Sequence, residues 1–237
     1  MVSIIIPTSN EAEFLPATLR AVTAAGVSVP SEVLVVDAGS SDQTSAVAEA
    51  GGARVLASHI RHRAAQMNLG AKEAQGEVLL FLHGDTVLPP TALRRIEGAL
   101  ANPCIVGGAF ARRYDSPSAV LRATCLLAYL RGRMSGWFLG DQAIFVRAES
   151  FRALHGFRDF ALFEDLDFAR RLRAAGGTVI LRPAVTSAAR RFEARGPLRT
   201  TASDFLLTCR YLCGGSPRAL ARTSLRPPRT ASVYEGT

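Results

Sequence analysis

The chain has 237 residues, 48% of them hydrophobic and 20% charged, a balance that supports a buried core and excludes a disordered tail protein. Its longest run without Asp, Glu, Lys or Arg, residues 98–111, is 14 residues long and contains Pro103, Gly107 and Gly108, so no segment reads as a membrane span. The net charge of +8 is uneven: residues 1–109 carry seven basic and ten acidic side chains, residues 110–237 carry 21 and ten. A basic second half suits phosphates or acidic lipid headgroups. No helix-turn-helix, zinc-finger or aromatic RNA-binding pattern accompanies the arginines, so nucleic acid is not the expected partner.

The opening Val2-Ser3-Ile4-Ile5-Ile6 lacks the basic and long apolar regions of a secretory leader, and the chain is expected in the cytoplasm. It reads as a buried strand stopped by Pro7, and Val33 to Val36 reads as a second one ending at Asp37. A helix from about Glu13 joins them, with Pro16 in its first turn and Leu15, Leu19 and Val22 facing inward. After the turn Ala38-Gly39-Ser40-Ser41-Asp42 come a helix at 43–50, a strand at 54–57, a helix at 64–74 and a strand at 78–82 ending in His83-Gly84-Asp85. This alternation predicts an α/β fold with right-handed crossovers and a nucleotide-sized crevice at the carboxyl ends of its strands. The order then changes: a helix near 90–101, a strand near 105–110, a long helix near 118–130, a strand near 142–146 and an amphipathic helix at 164–175. The expectation is one domain over residues 1–225, nucleotide half 1–109 and acceptor half 110–225, with a frayed tail from 226 to 237.

Acidic residues at strand ends carry the chemistry. Asp37 and Asp42 serve equally as helix caps or ligand contacts. Asp85 follows an apolar strand and Gly84, where one carboxylate suffices for Mg²⁺ or Mn²⁺ if a diphosphate supplies the other oxygens. Glu164-Asp165-Leu166-Asp167 is a favourable first helical turn. It also follows a Gly-hinged aromatic stretch, residues 155–163, suited to covering a pocket, which makes Asp165 the candidate base. Gly140-Asp141-Gln142 suits sugar hydroxyls or a simple turn, and Arg190-Arg191-Phe192 suits a diphosphate, an anionic acceptor or a solvated face. The four cysteines are too few for a disulfide scaffold. Cys209 and Cys213, without a second Cys or His pair, read as buried free thiols on one helix face.

Together these segments resemble family 2 glycosyltransferases, the inverting enzymes of GT-A fold. The resemblance covers residues 1 to about 195: Ile4-Ile5-Ile6-Pro7-Thr8-Ser9-Asn10-Glu11 and Val35-Val36-Asp37-Ala38-Gly39-Ser40-Ser41-Asp42 look like the first strand and the nucleotide loop. Gln66-Met67-Asn68-Leu69-Gly70, Leu82-His83-Gly84-Asp85-Thr86, Gly140-Asp141-Gln142 and Arg190-Arg191-Phe192-Glu193 are similar to the radical-SAM/selenodomain-associated transferase subgroup. The resemblance implies a mixed, mostly parallel sheet flanked by helices. It implies that Pro7, Thr8 and Glu11 line a uridine pocket, that Asp37 contacts base or ribose, and that Arg63 and Asn68 complete the nucleotide edge. His83-Gly84-Asp85 occupies the place of the Asp-x-Asp signature, with His83 replacing the first Asp, so Asp85 is the implied ligand of a divalent cation. Glu164-Asp165 matches the catalytic Glu-Asp pair. Arg191-Phe192 matches only the end of the Gln-x-x-Arg-Trp motif of processive enzymes, which implies single transfer from a nucleotide sugar, most simply a UDP-sugar.

A sugar-phosphate nucleotidyltransferase would want a basic, Gly-rich loop after the first strand, and Pro7-Thr8-Ser9-Asn10-Glu11 has no basic residue. A non-catalytic binding protein is the other alternative. The apolar, arginine-bearing helices near 118–130 and 205–212 suit packing on the domain, a homodimer interface, or peripheral contact with an acidic membrane surface.

Overall fold

The computed structural model of the chain describes residues 1–223, and the tail expected at 226–237 lies outside them. The strands and helices of the first half alternate as expected: β1 (Val2–Thr8), α1 (Leu15–Gly26), β2 (Ser31–Asp37), α2 (Thr44–Ala50), β3 (Arg54–Ala57), α3 (Arg63–Glu73), β4 (Val78–Phe81), β5 (Thr86–Val87) and α4 (Ala92–Leu100). The second half contains β6 (Ile105–Tyr114), α5 (Ala119–Ser135), a 3-10 turn (Gly140–Gln142), β7 (Ile144–Arg147), α6 (Ala148–Ala153), α7 (Glu164–Ala175), β8 (Gly177–Ser187), α8 (Arg190–Arg195), α9 (Pro197–Leu212) and α10 (Pro217–Thr223).

One eight-stranded mixed sheet has the order β3-β2-β1-β4-β7-β6-β8-β5. The first four strands are parallel; β7 runs antiparallel to both β4 and β6, and β8 is parallel to β6. The apolar run of β1 is buried on both faces because successive side chains serve opposite layers. Ile4 and Ile6 join Leu15, Leu19 and Val22 of α1 and Leu93 and Ile96 of α4, while Ile5 joins Met67 of α3 and Phe168 and Leu172 of α7. Each such side chain contributes about 1.5–3 kcal/mol of burial.

The topology gathers one rim. Thr8 pairs with Asp37 at the ends of β1 and β2, and β4 stops beside them. Because β7 is antiparallel, its first residue pairs with the last of β4, Ile144 with Phe81, so the turn at Gly140–Gln142 reaches the same rim. The short strand β5 pairs with the end of β8, and the Ala188 amide donates to the Asp85 carbonyl at 3.2 Å. That link carries the start of α8 to the Asp85 loop.

Candidate active site

The loops that follow β1 and β2 are locked together. The Thr8 hydroxyl donates to Asp37 Oδ1 at 3.1 Å, and Asp37 Oδ2 accepts the Ser40 N–H at 2.8 Å. Asn10, held at φ 55°, donates its amide to Ser40 Oγ and accepts the Ser41 N–H, both at 2.8 Å. Gln66 of α3 is buried and donates to the Thr8 and Val36 carbonyls at 2.8 and 2.7 Å. Pro7, Thr8 and Asp37 are all buried.

At the Gly84-Asp85 end, the Gly84 carbonyl accepts the Thr18 hydroxyl at 2.8 Å. A Cβ on Gly84 would lie 3.4 Å from Glu11 and 3.5 Å from Thr8, so the loop before Asp85 lies directly on the β1 loop. Arg190 Nη2 donates to both oxygens of Glu11, at 2.8 and 2.7 Å, and to Asp85 Oδ2 at 3.0 Å. Although partial burial opposes its charge, Glu11 and Asp85 raise the Arg190 pKa above its ordinary value. The expectation set Arg191 at the Asp85 end; the structure pairs Arg190 with Glu11 and Asp85 there. Arg191 is turned to Asp204 of α9.

The candidate base closes the site from the other side. Asp165 Oδ2 accepts the Gly140 N–H at 2.7 Å and Oδ1 accepts the Leu166 N–H at 2.7 Å, which fixes the carboxylate against the 3-10 turn. A Cβ on Gly140 would lie 2.9 Å from His83 Nε2 and 3.2 Å from Asp165 Oδ2. His83, next to the Gly84-Asp85 end, and Asp165 thus meet across one glycine. Glu164 beside it is buried, and its carboxylate lies 3.9 Å from Arg63 Nη1 at the start of α3.

Among the described residues, no group of three or more His, Cys, Asp and Glu side chains has the arrangement to hold a metal ion. The donor set fits a divalent cation in one way: Asp85 supplies a hard oxygen and the oxygens of a bound diphosphate supply the rest. Arg190 already neutralises that carboxylate and Glu11 from within the chain.

Residues 3–157 match the family described as Glycosyl transferase family 2. The chain belongs to this family. It is 33% identical over 157 residues to the undecaprenyl-phosphate 4-deoxy-4-formamido-L-arabinose transferase of Sodalis glossinidius, covering 62% of this chain and 48% of that protein, and 32% identical over 157 residues to the same-named protein of Serratia proteamaculans, with the same coverage. The chain spans about half the length of the curated relatives it matches. Among solved structures it is similar to a mannosyltransferase from Pyrobaculum calidifontis in complex with GDP-Man and Mn²⁺ (TM-score 0.69, 20% identity, 96% of this chain and 66% of that one). It is also similar to S. aureus TarS in complex with UDP (TM-score 0.67, 18% identity, 79% and 60%). These likenesses show the fold, the GT-A arrangement of a mixed sheet flanked by helices.

Other residues expected at the family 2 site have structural duties. Both ends of the Asn68 amide are used by one backbone: it donates to the Phe157 carbonyl at 2.8 Å and accepts the Phe157 N–H at 2.9 Å. The stretch 155–163 is accordingly not a loose cover. Phe157 packs among Phe81, Phe151 and Phe168, and Arg171 donates to the Leu154 and Gly156 carbonyls. Gln142 is fully buried, donating to the Phe110 carbonyl and accepting the Leu139 N–H. Asp141 pairs with Arg112 and accepts the Tyr114 hydroxyl at 3.0 Å. Cys213 is exposed and Cys209 partly so, against the expectation of buried thiols.

Burial works against the Asp141 charge, but Arg112 and the Tyr114 hydroxyl outweigh it and hold its pKa below the ordinary value. Burial, reinforced by the Asp141 charge, pushes Tyr114 well above its own. Arg131 of α5 had no sequence signal. Its Nε and Nη2 are buried without a hydrogen-bond partner among the described residues. Burial and Arg112 push its pKa down, opposed by Asp141 and Asp165.

Proposed function

We propose that the chain catalyses inverting sugar transfer from a nucleoside-diphosphate sugar, UDP being the first nucleotide to test, to an acceptor hydroxyl. The observation that carries this reading is the meeting of His83 and Asp165 over Gly140, 82 positions apart in sequence: it supports a base beside the Gly84-Asp85 end. Asp165 takes the acceptor proton as the acceptor oxygen bonds to the anomeric carbon. The bond from that carbon to the diphosphate breaks with its electron pair leaving on the diphosphate oxygen, and a single displacement inverts the configuration. Arg190 offsets the charge gathering there, while Glu11 and Asp85 aim its guanidinium. A divalent cation bound to the diphosphate with Asp85 as its protein ligand would supply further neutralisation. Thr8, Asp37 and the loop around Ser40 form the wall for base and ribose, and Arg63 orders Glu164 beside the base.

The names of the relatives contain a lipid-linked phosphate, whose own oxygens would need no base; a hydroxyl on a lipid-linked acceptor is kept as the group whose proton Asp165 takes, and no helix of the described residues is long and apolar enough to cross a membrane. Such an acceptor would be met at the membrane surface. Calorimetric titration with UDP, UDP-sugars and GDP-sugars, with Mn²⁺, Mg²⁺ or chelator, tests the donor. Saturable binding of one nucleotide is expected, and Asp165→Asn should retain it while losing turnover. Turnover that survives Asp165→Asn would remove the base assignment.

A further inference from the structure

Helix α5 is apolar on two faces. Leu121, Ala128 and Gly132 are buried, Leu121 beside Ala189 and Phe192 and Gly132 so close to the sheet that a Cβ would meet Ile180 at 2.8 Å. Ala123, Leu126, Leu127, Leu130 and Met134 nevertheless stand exposed at helical spacing, Leu127 by 65% and Met134 by 87%. Helix α9 packs against α5 and repeats the pattern: Leu198, Ala202, Phe205 and Leu206 are exposed, Phe205 by 69%. Single exposed leucines are ordinary; two stripes in helical register on touching helices are not, and they mark a docking face.

The charge around these stripes has one sign. Helix α5 carries Arg122, Arg131 and Arg133 and no acidic residue, and the only acidic residue of α9, Asp204, is engaged by Arg191. Between α5 and strands β6 and β8 lies a cavity of about 830 Å³, lined by Leu126 of the stripe and by Arg95, Arg112 and Arg182, with no Asp or Glu among its lining residues. Arg112 is committed to Asp141, whereas Arg95 and Arg182 are exposed. A second copy meeting this face about a two-fold axis would bring arginine against arginine. An anionic lipid surface complements both features, apolar stripe and basic border.

We propose that the outward faces of α5 and α9 seat the chain on an anionic bilayer surface, with Arg95 and Arg182 engaging a lipid phosphate at the cavity beside Leu126. The proposal does not rest on sugar transfer, because its readout is vesicle partition. The full chain is mixed with phosphatidylcholine vesicles, with and without phosphatidylglycerol, and floated on a density gradient. It should float with the anionic vesicles, and less so as salt is raised. Leu127→Glu with Phe205→Glu should cut partition about tenfold or more, while circular dichroism and UDP binding stay unchanged. Arg95→Gln with Arg182→Gln should cut the preference for phosphatidylglycerol about tenfold. Flotation unaffected by the paired Glu substitutions would overturn the assignment. So would the absence of flotation together with a dimer in light scattering that the same substitutions dissociate, since the face would then belong to a second copy.

Discussion

Arg190 and Arg191 begin α8 at consecutive positions, where about 100° of rotation per residue sends their guanidiniums to different partners. Arg190 draws Glu11 and Asp85 together, two carboxylates that would otherwise repel. Arg190→Ala should weaken UDP binding about tenfold, or about 1.4 kcal/mol, read by calorimetry. Arg191→Ala should leave that affinity unchanged and lower unfolding free energy by no more than about 1 kcal/mol, because its pair with Asp204 is over a quarter exposed on both sides. Asp141 has the opposite balance. Asp141→Asn removes the charge that balances its partner Arg112, whose side chain is only 10% exposed, and should cost about 3 kcal/mol in urea unfolding, toward the low end for a broken buried pair since Asp141 keeps 24% exposure. The same cluster sets a pH window. The folded pKa of Asp141 is depressed, so its contribution is present above the unfolded value of about 3.9 and is lost as pH falls through the folded one. The folded pKa of Tyr114 is raised, so its contribution is present below about pH 10 and is lost as pH rises through the higher folded value. Unfolding measured across pH should show Asp141→Asn flattening the acid limb and Tyr114→Phe the alkaline limb.

Among the elements, the turn at Gly140–Gln142 and the stretch before α7 decide whether the base is aimed. A methyl group at residue 140 would press on His83 Nε2 and Asp165 Oδ2. Gly140→Ala should therefore lower kcat about tenfold or more with UDP affinity and overall folding retained, a split that a merely destabilised protein would not show. Asn68→Ala removes both bonds that pin Phe157 and should cost about 1–3 kcal/mol, read in the urea midpoint. The elements themselves were largely legible. Helix α7 spans 164–175 as its pattern required, and β1 to β4 follow the apolar runs. Strand β8 was not, because Arg182 and Pro183 interrupt its pattern and a proline argues against a central strand. The fold accommodates them at a register shift: Phe110 pairs with Leu181, and the next pairing is Arg112 with Val185.

For the whole molecule, UDP should stabilise the folded state by about 2.7 kcal/mol at one hundred times its Kd, a rise of several degrees in thermal midpoint that Arg190→Ala diminishes. The local pattern of the chain determined the alternation of strand and helix, the position of Asp37 and Asp85 after apolar strands, and the family, since each depends on residues close in sequence. Partner choice was another matter. Whether Arg190 or Arg191 reaches Asp85, which backbone Asn68 holds and which group pairs with Asp141 depend on pairings across 13 to 105 positions. A polar side chain carries no mark of which distant group will satisfy it. Sheet order and the antiparallel return of β7 decided that, by fixing which loops share a rim.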